Sequence, residues 1–288
     1  MKLYPIQCGN FKLDGGAMFG VVPKSLWERT NPADSKNLIE LGTRSLLVED
    51  GKKLILIDCG LGNKQDEKFF GHYSLYGDDT LEKNLAKFGF VKDDITDVFL
   101  THLHFDHCGG AIEWNDDKTG YRPAFKNAQF WTNENHWQWA TEPNPREKAS
   151  FLKENILPMQ ESGQLQFLPT PKTGNYGFAP DLKMDVIFVD GHTEKQMLPV
   201  IQYQEKTIVF AADLIPTAGH IPQVYVMGYD TRPLLTMEEK GKFLKQCVEN
   251  EYLLFFEHDA LHELASLKMT EKGVKLDETF SFNEVFGY

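Results

Sequence analysis

Three histidines and an aspartate, His102, His104, Asp106 and His107, fall within the run Thr101-His102-Leu103-His104-Phe105-Asp106-His107-Cys108-Gly109-Gly110. Imidazole nitrogen and carboxylate oxygen are donors that suit zinc and its first-row neighbours. A lone histidine is more often a surface or core residue than a ligand. Four ligand-type side chains at this spacing reverse that expectation and point to a metal. Such a metal lowers the pKa of its bound water towards about 7, which makes a nucleophile at neutral pH. Cys108 abuts the cluster and reads as a small packing residue, because its four neighbours already meet the need for ligands.

Certain elements must hold these side chains. Asp97-Val98-Phe99-Leu100, just upstream, is an apolar run that predicts a buried strand. Gly109-Gly110, just downstream, lets the chain turn sharply. The ligands are therefore expected where a strand ends and a loop begins, a common place for chemistry. Three later residues share that setting. His192 follows a strand predicted over Met184 to Val189, and Asp213 follows one over Thr207 to Phe210. His258 follows the run Leu253-Leu254-Phe255-Phe256. In parallel or mixed sheets the loops at one strand edge converge, so distant residues can meet there. Taken singly, each is far more often an ordinary loop residue than a ligand.

The pattern His-x-His-x-Asp-His, then a later His, an Asp and a final His, resembles the metallo-β-lactamase superfamily over about residues 44 to 258. The resemblance implies an α/β fold, a four-layer αββα sandwich, with residues 1–288 as a single domain. It implies two divalent metal ions, zinc by default, with manganese, iron, cobalt or nickel also suited to the donors. By resemblance, His102, His104 and His192 bind one metal, and Asp106, His107 and His258 the other. Asp213 resembles the carboxylate that bridges both, and Asp58 one that supports the metal loop without binding. The implied reaction is hydrolysis by a hydroxide held between the metals, with Asp106 passing the proton to the leaving alkoxide.

Departures from relatives narrow the choice. Asp213 stands where many β-lactamases of the superfamily carry a cysteine, which argues against β-lactam hydrolysis. His104 stands where the flavodiiron branch has glutamate, which argues against a redox role. Thr193-Glu194-Lys195-Gln196 replaces the Pro-Gly and second histidine that many members carry after the residue matching His192. Asp14-Gly15-Gly16-Ala17-Met18-Phe19-Gly20, with the following Val-Pro-Lys, resembles the quorum-quenching lactonase branch and the nearby methyl-parathion-hydrolase-like enzymes. Lactonases of that branch use a tyrosine to hold the substrate carbonyl, and Tyr229 is the candidate, with a packing tyrosine as the plain alternative. His220, in the same loop, reads as a surface residue. Met18, Phe19, Leu26, Trp27, Phe105 and Tyr229 are expected to wall an apolar pocket.

Composition sets outer bounds. Acidic residues outnumber basic ones 42 to 30, for a formal charge of -12, and no Lys/Arg cluster offsets this, so nucleic-acid binding is disfavoured. No apolar run approaches the roughly 20 residues of a membrane span, and none near the N-terminus reads as a secretory signal. Scattered thiols at Cys8, Cys59, Cys108 and Cys247 fit a reducing compartment, so a cytoplasmic protein is expected. A small-molecule substrate is the expected partner; a homodimer is allowed but not specified.

The remaining elements are coarser. Residues 11–22 suggest two short strands about an Asp-Gly-Gly turn, and residues 23–39 a long loop. Arg44 to Glu49 and Leu54 to Asp58 suggest a hairpin joined by Asp50-Gly51. Thr236-Met237-Glu238-Glu239 reads as a capping box opening a helix to about Glu249. The reading is a lactonase-like metal-dependent hydrolase. A phosphotriesterase or glyoxalase II-type thioesterase of the same fold is the alternative, and a non-catalytic metal-binding protein the rival of another class.

Overall fold

The computed structural model describes residues 1–287. It divides into two compact units, one made of Met1–Asn10 and Thr43–Lys183, the other of Phe11–Gly42 and the chain from Met184 on. Among the described residues, no helix is long and apolar enough to cross a membrane.

The first unit is built on a mixed sheet in the order Lys2–Asp14, Leu38–Asp50, Lys53–Ile57, Asp97–Phe99, Gln129–Asn133, Leu165–Leu168. The expected hairpin is present, with Leu46 opposite Ile57 and the turn closed by Gly51 at φ 64°. The next pairings are parallel: Ile55 faces Asp97, Asp97 faces Gln129, and Phe130 faces Leu165. Leu54, Leu56, Val98 and Phe130 are buried in one apolar core with Phe125 and Trp137. Runs buried on both faces are what a parallel sheet demands. Because three adjacent strands run the same way, Asp58, His102 and His136 all leave from one sheet edge.

In the second unit six strands run in the order Gly273–Phe280, Leu264–Thr270, Leu253–Phe255, Lys206–Phe210, Gln196–Tyr203, Met184–Val189. Met184–Val189 is antiparallel to Gln196–Tyr203, which is antiparallel to Lys206–Phe210, and that strand is parallel to Leu253–Phe255. Two reversals restore direction. The strands that lead into His192, Asp213 and His258 therefore point the same way and deliver all three to one edge.

Several expectations are corrected. Residues 11–22 are not a hairpin: the strand runs to Asp14, and Gly15–Phe19 is a helical turn. Asp14 caps that turn by accepting from the Ala17 amide at 2.8 Å. A side chain at Gly15 would collide with the Trp27 ring. The expected loop after Pro23 holds a second helical turn, Lys24–Trp27, and the next strand starts at Leu38. The long helix spans Pro233–Glu249, one turn earlier than the Thr236 signal, because Pro233 fits a helix's first turn. Thr236 Oγ1 donates back to the Arg232 carbonyl at 3.3 Å instead of capping.

The expected pocket walls are corrected too. Met18, Phe19 and Trp27 are 2 %, 0 % and 1 % exposed, while Leu26 is 43 % exposed. Phe19 lies between two flat partners: Trp27 stacks on it at 5.2 Å between ring centroids and His220 at 4.1 Å. These rings are core of the second unit. Trp27→Ala should therefore destabilise the fold by about 3–5 kcal/mol, the usual cost of emptying a buried aromatic site. Urea unfolding of the two proteins reads this directly, and a change under about 1 kcal/mol would return Trp27 to the surface.

Candidate metal centre

In the first unit the motif follows Asp97–Phe99, and Phe105–Cys108 forms one short helical turn. Gly109 and Gly110 open a short 3-10 turn, Gly109–Ala111, with neither at positive φ. They allow close approach, since a Cβ on either would collide with the backbone carbonyls of Leu61 and Cys59. That contact is tied by Cys59 N–H donating to the His107 carbonyl at 2.8 Å and Gly110 N–H to the Gly60 carbonyl at 2.9 Å. The buried Lys64 ammonium also donates to the Gly109 carbonyl. Cys108 is a packing residue: its thiol faces the Leu103 carbonyl at 3.3 Å, and burial pushes its pKa up to about 12.

Asp58 anchors the motif. One carboxylate oxygen accepts from the Thr101 amide at 2.8 Å, and the other from the Thr101 hydroxyl at 2.6 Å and His107 Nδ1 at 3.1 Å. Asp58 adopts φ 55°, a left-handed backbone that costs a non-glycine residue about 1–2 kcal/mol. The Thr101 hydroxyl, its one proton given to Asp58, accepts from His102 Nδ1 at 3.1 Å. His104 Nε2 lies 3.4 Å from Glu147 Oε1. Glu147 is itself buried, and its other oxygen accepts from Trp139 Nε1 and Asn144 Nδ2, each at 2.6 Å. His136 packs behind, its Nε2 accepting from the Leu103 amide at 2.8 Å.

The second unit repeats the device. His192 Nδ1 donates to Asp230 at 2.9 Å, and His258 Nδ1 donates to the Gly42 carbonyl at 2.8 Å. Both histidines are buried.

These partners fix which ring nitrogen keeps its proton. A carbonyl or carboxylate can only accept, so Nδ1 of His107, His192 and His258 carries the hydrogen and Nε2 is left with a lone pair. In the neutral rings these nitrogens face other acceptors. His192 Nε2 and His258 Nε2 each lie 3.1 Å from an oxygen of Asp213, one on either side of the carboxylate. His102 Nε2 lies 3.1 Å from His104 Nδ1. Lone pairs that close repel unless a proton or a metal ion lies between them. A metal ion meets all three cases with one chemistry, and the donors are those zinc-like ions take. The chain thus holds His/Asp clusters suited to a dimetal site.

The structure brings His102, His104 and His107 together in the first unit, with Asp106 Oδ1 3.9 Å from His107 Nε2. It brings His192, Asp213 and His258 together in the second. Tyr229 is 40 % exposed on the loop that also carries Asp230. His220 is corrected: it is fully buried, with Nδ1 at 2.8 Å from the Thr217 hydroxyl and Nε2 donating to the Met18 carbonyl at 2.9 Å. Burial pulls its pKa down to about 3, so it stays neutral at ordinary pH. Sequence reasoning missed Asp230, Glu147 and His136. Asp230 lies 38 residues from the ring it holds, and nothing in its neighbours marks it.

Comparison with known proteins adds a family and relatives. A family profile described as Metallo-beta-lactamase superfamily matches residues 38–246. An N-acyl homoserine lactonase from Bacillus thuringiensis is 23 % identical over 275 residues, covering 91 % of this chain and 94 % of that one. A probable metal-dependent hydrolase from Staphylococcus aureus superposes with a TM-score of 0.85 at 28 % identity, covering 97 % and 96 % of the two chains. AidC, described as a dizinc quorum-quenching lactonase in complex with a product, superposes with a TM-score of 0.76 at 22 % identity, covering 97 % and 95 %.

Asp58 offers a test of the geometry. Asp58→Ala strips an acceptor from two buried Thr101 donors and from His107 Nδ1. It should destabilise the protein by about 1–3 kcal/mol for each buried donor left unpaired. It should also weaken metal retention about 10–100-fold. Chelator competition alongside urea unfolding measures both, and wild-type values in both would remove Asp58 from its supporting role.

Proposed function

The chain belongs to the metallo-β-lactamase superfamily, whose fold it has, and we propose that within it the protein is a dimetal-dependent lactonase acting on N-acyl homoserine lactones or related esters. The observation that carries the metal reading is the Asp213 carboxylate with a histidine Nε2 3.1 Å from each oxygen. We assign His102, His104 and His192 to one metal, and Asp106, His107 and His258 to the other, with Asp213 shared. On this reading the chain works as a single domain. When bound, the metal ions supply an activated water and a Lewis acid.

The chain's own groups do the rest. Asp106, next to His107, carries the proton towards the leaving alkoxide. Tyr229 holds the substrate carbonyl through its hydroxyl. Phe105, Phe69 and Tyr73 make an aromatic face beside Asp106, with Phe105 at 5.3 Å from Phe69 and 4.7 Å from Tyr73. Burial raises the Tyr73 hydroxyl to a pKa of about 12, so this face carries no charge at neutral pH. A neutral aromatic wall favours a neutral reacting group with an apolar tail over a glutathione thioester, whose carboxylates call for a cationic fork. The lactonase names of the Bacillus relative and of AidC support the same substrate class.

The metal reading predicts about two ions per chain by elemental analysis, zinc being the default. Asp213→Ala should lose one of them and most turnover, whereas Asp213→Cys should hold metal better, since thiolate is a good zinc ligand. Stoichiometry near zero after loading with zinc or manganese ends the dimetal reading.

The substrate reading predicts the highest kcat/KM on acyl-homoserine or aliphatic lactones. Aryl phosphotriesters should follow, with S-lactoylglutathione and β-lactams near background. A pH-stat comparison on one metal-loaded preparation ranks the four classes. Equal or better efficiency on the thioester would displace the lactonase reading while leaving the metal reading standing.

A further inference from the structure

The loop that delivers His192 continues Thr193-Glu194-Lys195-Gln196. The segment from Asp230 to Glu239 engages each backbone polar group of residues 190 and 191, and the carbonyl of His192. The Asp190 carbonyl accepts from Arg232 Nη1 at 2.6 Å, and the Gly191 carbonyl from the Arg232 amide at 2.9 Å. The His192 carbonyl accepts from the Thr231 amide at 3.1 Å. The two amides that remain both turn to one side chain. Glu239 Oε1 accepts from the Asp190 amide at 2.8 Å and Oε2 from the Gly191 amide at 2.9 Å.

Glu239 reaches this point from the long helix, one turn beyond Thr236, against which Gly191 packs so tightly that a Cβ there would collide with the Thr236 backbone. Helix and loop are thus in backbone contact, and the carboxylate spans the gap with one oxygen per amide. Two lone-pair acceptors are required at once. The amide of glutamine, equal in size, has only one and would point an N–H at an N–H.

We propose that Glu239 is a positioning residue for His192: its carboxylate grips the amides of residues 190 and 191 and sets the approach of the imidazole to its metal. The proposal rests on the dimetal reading. Asp230 aims the ring, and Glu239 places the backbone from which the ring hangs.

The test uses the full chain stripped of metal and reloaded with cobalt, titrated against a chromophoric chelator, with the visible spectrum recorded. Wild type, Glu239→Gln and Glu239→Ala are compared, and unfolding of each metal-free protein is measured in parallel. Glu239→Gln should weaken one of the two cobalt equivalents about 10–100-fold and shift the ligand-field bands. The other equivalent should stay within about 2-fold, and the metal-free unfolding midpoint should stay near wild type. A group that merely fills space would be replaced by glutamine without effect. Wild-type affinity and spectrum in Glu239→Gln therefore overturn the proposal, as does loss of the fold in both variants, which would make Glu239 a core residue. If wild type itself takes up no cobalt, the dimetal reading has failed, an outcome distinct from two ions bound equally well by all three proteins.

Discussion

Everything at the candidate centre depends on which nitrogen of each histidine keeps its proton. A free imidazole exchanges its proton between two sites and presents a lone pair in either direction. Here Thr101, Asp58, Asp230 and the Gly42 carbonyl each take the Nδ1 hydrogen of one ring, and Glu147 sits at Nε2 of His104. The lone pairs are thereby aimed before any ion arrives, and aimed at one another. Converging ring nitrogens and carboxylate oxygens of this kind suit the local fold to bind a cation.

Loops carry several of these partners, and buried amines help to hold them. Lys240 is fully buried and donates to the carbonyls of His220 at 2.9 Å and Tyr225 at 2.6 Å. Burial lowers its pKa to about 7, and that of Lys64, which holds the Gly109 carbonyl, to about 8. Either form of the amine still has hydrogens to donate, so these ties survive loss of charge. His220 works in the opposite way, as a neutral aromatic plate against Phe19. Titratable side chains here serve as framework as well as chemistry.

What could be read from the sequence followed physical reach. The strands Met184–Val189 and Lys206–Phe210 are marked by apolar runs, and their bounds fall within a residue of expectation. The four-residue cluster at His102 to His107 declared itself by density. Asp230 and Glu239 did not, because the groups they hold lie 38 and 48 or more residues away and their types are common on any surface. Phe19 and Trp27 were misplaced for a related reason. An aromatic residue after a glycine-rich turn looks the same in sequence whether it faces a pocket or a core, and only the Gly15 and His220 contacts decide. The helix start near Thr236 shows a local signal outweighed: Glu239, expected to close a capping box, is drawn to a distant pair of amides instead.

The glycines differ in what blocks them, and that sets how each position can drift over evolutionary time. A side chain at Gly15 meets the Trp27 ring, and one at Gly241 meets the Gln223 amide. A smaller residue at 27 or 223 could in each case make room, so these positions can change in pairs. Gly109 and Gly110 meet the backbone of Leu61 and Cys59. Every amino acid carries that backbone, so no exchange at 61 or 59 makes room for a side chain at 109 or 110. The two glycines beside the histidine cluster are therefore closed to compensation by a partner residue, and a lineage that loses either must rebuild the loop from residue 59 to 62 or lose the local fold.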